Sequence, residues 1–125
     1  GGDITVVTYG TGVHWSLDAA AKLAADGIGV EVLDLRSLIP LDRDAILASV
    51  KKTGKLLIVH EATITGGIGA EIAALVSSQA FEYLDAPIRR IASPDTPVPY
   101  APTLEDYILP NAEKVAAELR SLAAY

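Results

Sequence analysis

Cysteine is absent from the 125 residues, which excludes disulfides, thiolate nucleophiles and cysteine-bound metals. Methionine is absent too, even at position 1, so the native start is expected elsewhere and the chain is expected to be a fragment or a processed product. Only two histidines are present. Without thiolates beside them, a metal site would have to be rich in oxygen, and the acids are scattered at helix starts such as Asp42 and Asp44, where they more simply cap. No apolar run reaches membrane-spanning length, the stretch Lys55–His60 being typical, and no signal-peptide pattern opens the chain. Basic residues are also in short supply: 10 against 16 acids, a net charge of −6. A surface of that sign repels phosphate backbones, and the Arg89-Arg90 doublet is too small to make a basic patch, so neither nucleic acid nor membrane is an expected partner.

What remains is a globular composition, 50% hydrophobic and 21% charged, of a size that fits one domain over residues 1–125. Strand-like and helix-like runs alternate. Ile4–Tyr9 is β-branched and stops at Gly10-Thr11-Gly12. Trp15–Asp26 is rich in helix formers, with Leu17, Ala20, Ala21, Leu23 and Ala24 as the expected apolar stripe and Gly27 as the stop. Val30–Leu35 is a second strand. Pro40-Leu41-Asp42 opens a helix that Asp42 can cap and Gly54 ends. Leu56–Val59, apolar throughout, suits a strand covered on both faces. A helix follows Gly66-Gly67-Ile68-Gly69, with Ile68, Ile72, Leu75 and Val76 inward; Pro87–Ala92 is the fourth strand. Asn111 caps a last helix carrying Val115, Leu119 and Leu122 at helical spacing. Strands separated by helices demand parallel pairing and helices on both sheet faces. The predicted fold is therefore a three-layer α/β/α domain, with four parallel strands in the order 2-1-3-4.

In that order the first and third strands leave toward opposite faces, and their carboxyl ends flank a crevice of the kind in which open α/β sheets bind ligands. Gly10, Thr11, Gly12 and His14 follow the first strand; His60, Glu61, Gly66, Gly67 and Gly69 follow or end the third. Helix N-terminal amides there favour an anion such as a carboxylate or phosphate. Neither loop fits the dinucleotide or phosphate-loop fingerprint, however, and glycines equally serve tight turns and close helix–strand packing. His60 reads as a strand-end histidine satisfied by local hydrogen bonds, because no nucleophile accompanies it. Ser37, Ser49, Ser77 and Ser93 lack a nucleophile-elbow context. No catalytic, cofactor-binding or metal-ligating residue is assigned. The proline-rich segment Ser93–Pro102, with Pro94, Asp95, Pro97, Pro99 and Tyr100, can be neither helix nor inner strand. It is either a preorganised contact surface or a rigid crossing to the last helix. Together with Tyr107, Leu109 and Tyr125 it forms the candidate interface.

The runs YGTGVHWSLDAA, EVLDLRSLIPLD, KKTGKLLIVHEATITGGIGAEIAA and DTPVPYAPTLEDYILPN, in this order and covering nearly the whole chain, resemble the C-terminal part of 2-oxo acid dehydrogenase beta subunits, the transketolase C-terminal domain family. The His60-Glu61-Ala62 start of the glycine loop is most similar to the branched-chain type, which acts on 2-oxoisovalerate and its relatives; pyruvate and acetoin dehydrogenase beta subunits are also similar. The resemblance implies a fragment of a longer beta subunit in an α2β2 enzyme that uses thiamine diphosphate and Mg. That enzyme decarboxylates a 2-oxo acid and passes the acyl group to a lipoyl arm of the acyltransferase core. The cofactor is held outside this domain, whose implied role is to pair beta subunits and to help dock the assembly, and which alone should be inactive. The expected partners are the alpha subunit, a second beta subunit and the acyltransferase core. The expected location is bacterial cytoplasm or, in a eukaryote, the mitochondrial matrix. Tyr125 matches the family's final aromatic. The family's additional antiparallel edge strand would lie just upstream of Asp3, so its truncation would leave Val30–Leu35 as a bare edge. An anion-binding regulatory module is the alternative function. An independent enzyme would need a nucleophile or bound metal that the residues do not offer.

Overall fold

A computed structural model describes residues 1–36, 41–63, 68–93 and 110–125. Gly66, Gly67 and the interface candidates Pro94, Asp95, Pro97, Pro99, Tyr100, Tyr107 and Leu109 lie outside those residues. The elements are β1 (Ile4–Thr8), α1 (Gly12–Ala25), β2 (Val30–Asp34), α2 (Arg43–Thr53), β3 (Leu56–Thr63), α3 (Gly69–Gln79), a 3-10 turn at Phe81–Tyr83, β4 (Arg89–Ser93) and α4 (Ala112–Ala123). The four strands pair in parallel, as the alternation of strands and helices predicts, and they stand in the expected order β2-β1-β3-β4.

Alternate residues of the central strands feed two separate cores. Ile4, Val6, Leu57 and Val59 meet Ala19 and Leu23 of α1 and Val115, Ala116, Leu119 and Leu122 of α4. Val7, Leu56 and Ile58 meet Ile46 and Val50 of α2 and Ile72 and Val76 of α3. Two apolar faces on one strand explain why Leu56–Val59 carries no polar alternation. Asp42 caps α2 by accepting from the Ala45 amide at 3.1 Å, and Asn111 caps α4 by accepting from the Lys114 amide at 2.9 Å. Gly54 closes α2 in the left-handed conformation at φ 76°.

The stripe expected on α1 is corrected except at Leu23, which is buried as expected. Gly12, Ser16, Ala19 and Leu23 are the buried positions, while Leu17 is 52% exposed and Ala21 and Ala24 face outward. The physical reason is that α1 lies against both the sheet and α4: Gly12 meets β1 and β3 at close range, and Ala19 and Leu23 pack into the core shared with α4. Further boundaries move. α1 begins at Gly12 rather than near Trp15, β3 runs on through His60 to Thr63, and β4 begins at Arg89 rather than at Pro87.

Behind β1 lies a polar seam. Thr5 Oγ1 is 2.7 Å from Ser49 Oγ and 2.8 Å from Thr53 Oγ1. Ser49 donates to Glu31 Oε2 at 2.5 Å, and Lys52 Nζ pairs with the same carboxylate at 2.8 Å. The seam ties the N-terminal half of the edge strand β2 to α2 through hydroxyls that would otherwise be buried without partners.

Candidate functional site

The crevice at the carboxyl ends of β1 and β3 is built by two close helix–strand approaches. On the α1 side, Gly10 turns the chain at φ 60°, a conformation that suits glycine. Gly12 then opens α1 against the sheet: a Cβ there would collide with Thr8 Oγ1 and stand 3.2 Å from the Val59 carbonyl oxygen. On the α3 side, a Cβ at Gly69 would stand 2.5 Å from His60 Nε2 and 3.2 Å from Ile58 Cγ2. Gly12 and Gly69 therefore let their helices begin in contact with β1 and β3. Gly10 and Thr11 are exposed at the rim.

The two histidines fall on opposite sides of the sheet. His14 is exposed on α1, whereas His60 is fully buried beneath the start of α3. Its ring stacks on Tyr9 with centroids 5.9 Å apart and planes 7° from parallel. Burial raises the Tyr9 phenol above its ordinary pKa, so at neutral pH it is a hydroxyl and not a phenolate. A shelf of aromatic and imidazole rings thus forms the α3 side of the crevice.

Two polar side chains here were not legible in the sequence. Thr8 Oγ1 and Ser16 Oγ are buried and have no hydrogen-bond partner among the described residues. The spacing Thr8, Gly12, Ser16 does carry a signal, since Gly12 and Ser16 share one helix face and Thr8 lies directly beneath it. Both helices that open on the crevice start without a side-chain cap, at Thr11 and Ile68, unlike α2 and α4. Their first amides are the groups that could meet an anion. Tyr125, the described member of the candidate interface, lies far from here. It is 58% exposed, its hydroxyl accepts from Arg89 Nη2 at 3.3 Å and its carbonyl accepts from Lys55 Nζ at 3.1 Å.

Among the described residues no group of three or more His, Cys, Asp or Glu side chains could hold a metal ion.

Sheet order, layers and crevice define an open, doubly wound α/β domain. Residues 1–115 match the family described as "Transketolase, C-terminal domain". The chain belongs to that family. It is 51% identical over its whole length to the 2-oxoisovalerate dehydrogenase subunit beta of Bacillus subtilis, covering 38% of that protein. It is 49% identical over 96% of its length to the acetoin:2,6-dichlorophenolindophenol oxidoreductase subunit beta of Cupriavidus necator, covering 36% of it. With the pyruvate dehydrogenase E1 component subunit beta of Rhizobium meliloti the identity is 46% over 98% of the chain and 26% of the relative. A solved structure described as a split gene transketolase, inactive beta4 tetramer, superposes with a TM-score of 0.84 at 27% identity, over 99% of this chain and 39% of that one. The chain thus spans well under half the length of each of these relatives.

Proposed function

We propose that this chain is the assembly domain of the beta subunit of a thiamine diphosphate-dependent 2-oxo acid dehydrogenase, of the branched-chain type. The parent reaction would be oxidative decarboxylation of 2-oxoisovalerate-type acids with acyl transfer to lipoyl groups. Thiamine diphosphate and Mg would be held elsewhere in the parent enzyme. The observation that carries this reading is the identity along the chain with beta subunits of such dehydrogenases, 51% with the 2-oxoisovalerate enzyme against 49–50% with the acetoin enzymes and 42–50% with the pyruvate enzymes. The tetramer named for the transketolase neighbour supports a role in pairing beta subunits. The alpha subunit and the acyltransferase core are the further partners, in bacterial cytoplasm or the mitochondrial matrix. The test is to purify the beta subunit that carries this chain with its alpha partner and supply 2-oxoisovalerate, pyruvate and acetoin separately. Preferred turnover of 2-oxoisovalerate by a heterotetramer, lost when residues 1–125 are deleted, is the expected result. Preference for pyruvate or acetoin refutes the branched-chain assignment, and a heterotetramer that persists after the deletion refutes the assembly role.

A second reading is favoured by the two uncapped helix starts and by buried Thr8 beneath the first of them. In it, a regulatory anion meets either the α1 start at Gly10, Thr11, Gly12 and His14 or the α3 start at His60 and Gly69, which lie on opposite faces of the sheet; Gly66 and Gly67, expected with them, lie outside the described residues. A ligand at one hundred times its dissociation constant would add about 2.7 kcal/mol of stability. Thermal shifts with phosphate, nucleotides and 2-oxo acids therefore test it, and no shift with any of them removes it.

A further inference from the structure

The turn between α1 and β2 contains Asp26-Gly27, the sole Asp-Gly or Asn-Gly pair in the sequence. Asp26 is exposed at the carboxyl end of α1, and Gly27 adopts φ 79°. Glycine has no Cβ to shield its amide nitrogen, which makes it the least hindered neighbour for attack on an aspartyl side chain. Two restraints oppose that attack. The Gly27 amide donates to the Ala24 carbonyl at 3.0 Å, and the Asp26 amide donates to the Leu23 carbonyl at 2.9 Å. From α4, Arg120 Nε stands 3.5 Å from Asp26 Oδ2 and draws the carboxylate toward that helix. The backbone bonds belong to a last helical turn, which frays readily. The ion pair is the restraint supplied from outside the turn.

We propose that Asp26 is a site of spontaneous isoaspartate formation in the folded protein, restrained by Arg120. The Gly27 nitrogen loses its proton and bonds to Asp26 Cγ, and a carboxyl oxygen leaves as water, closing a succinimide ring. Water then adds back at the main-chain carbonyl carbon and breaks its bond to the Gly27 nitrogen, so the peptide continues through Cβ and Cγ. Atoms and electrons balance without an oxidant or a co-reactant. The backbone is then longer by one methylene just ahead of Gly29. The Gly29 carbonyl accepts from Asp3 and Ile4 at 2.9 and 3.1 Å, and its amide donates to Asp3 Oδ2 at 2.6 Å. Those bonds set the Ile4–Val30 register of β1 with β2, so the modification loosens the edge strand.

The test incubates the folded protein, its Arg120→Gln and Arg120→Lys variants and the urea-unfolded chain near neutral pH. Isoaspartate is then scored peptide by peptide through enzymatic methylation with labelled S-adenosylmethionine. Circular dichroism verifies that each variant is folded. Isoaspartate should accumulate at Asp26 above every other aspartate, more slowly than in the unfolded chain. Arg120→Gln should raise the folded rate by about twofold to fivefold, the size of effect an exposed ion pair can restrain, and Arg120→Lys should raise it less. The proposal is overturned if Asp26 stays intact in every folded sample while the unfolded chain converts. It is equally overturned if Arg120→Gln leaves the rate unchanged or if another aspartate converts faster.

Discussion

Adding a single methyl group at Gly69 should destabilise the protein through one identifiable neighbour, His60. The backbone at Gly69 is not among the glycines with positive φ, so Gly69→Ala carries no conformational penalty of its own and the effect is steric. The new Cβ would stand 2.5 Å from His60 Nε2, 3.0 Å from its Cδ2 and 3.2 Å from Ile58 Cγ2. The imidazole is fully buried and stacked with the Tyr9 ring, so its retreat disturbs packed neighbours. Overpacking of this kind costs about 1–3 kcal/mol, and replacing glycine in a helix returns at most about 0.5–1 kcal/mol. Since Gly69 is the first residue of α3, where helix propensity counts least, the net loss should be about 1–2 kcal/mol. Gly69→Val should cost more.

A double-mutant cycle separates this clash from a general weakening of α3. His60→Ala alone removes a buried ring and should cost about 2–4 kcal/mol. In the His60→Ala background the Gly69→Ala methyl enters vacated space, so its cost should vanish or change sign, a coupling of about 1–2 kcal/mol. Urea unfolding followed by circular dichroism measures all four corners, with two-state behaviour checked by coincident probes. If Gly69→Ala costs the same with or without the imidazole, or nothing in either background, the close approach of α3 to β3 is wrongly described.

Two further predictions concern the sheet and the seam behind it. Leu57 is buried in the core between β3, α1 and α4, so Leu57→Ala should cost about 2–5 kcal/mol; a loss below that range in urea unfolding would contradict the placement of β3. Glu31 is held below the ordinary carboxylate value of 4.5, first by its hydrogen bond with Lys52, then by Ser49, against the opposing effect of burial. A folded-state value below the unfolded one means that Glu31 adds stability above about pH 4.5 and loses it as pH falls through the folded value. Glu31→Gln should therefore flatten the acid limb of stability against pH while leaving the basic limb unchanged, and an acid limb identical to wild type would show that the Lys52–Glu31–Ser49 link contributes nothing.

The residues whose structural role can be read from sequence are those whose signal is local. Asp42 and Asn111 cap because a short polar side chain preceding an apolar-periodic run reaches back to the helix amides, and the bonds to Ala45 and Lys114 lie three residues away. Leu56–Val59 reads as a central strand because it must be apolar on both faces. Where the structure departs from expectation, the deciding neighbour is distant in the chain. Hydrophobic periodicity selects Leu17, Ala20, Ala21, Leu23 and Ala24 on α1, of which only Leu23 is fully buried. The buried face runs through Gly12, Ser16, Ala19 and Leu23, and what selects it is packing against the sheet and against α4, about a hundred residues on. The seam from Thr5 to Ser49 and Thr53 spans 44 and 48 residues, and nothing near Thr5 marks it as one half of a hydroxyl pair. The candidate site shares this division. Its glycines announce close packing, but which atoms they approach is decided by strand register, and the register that places Thr8 beside Val59 is also what brings Gly12 of α1 against both. One geometrical choice, a sheet order that sends β1 and β3 to helices on opposite faces, thus fixes the crevice, separates His14 from His60 and makes β2 an edge among the described strands. Whatever this domain contributes to a larger enzyme must be built on those three consequences.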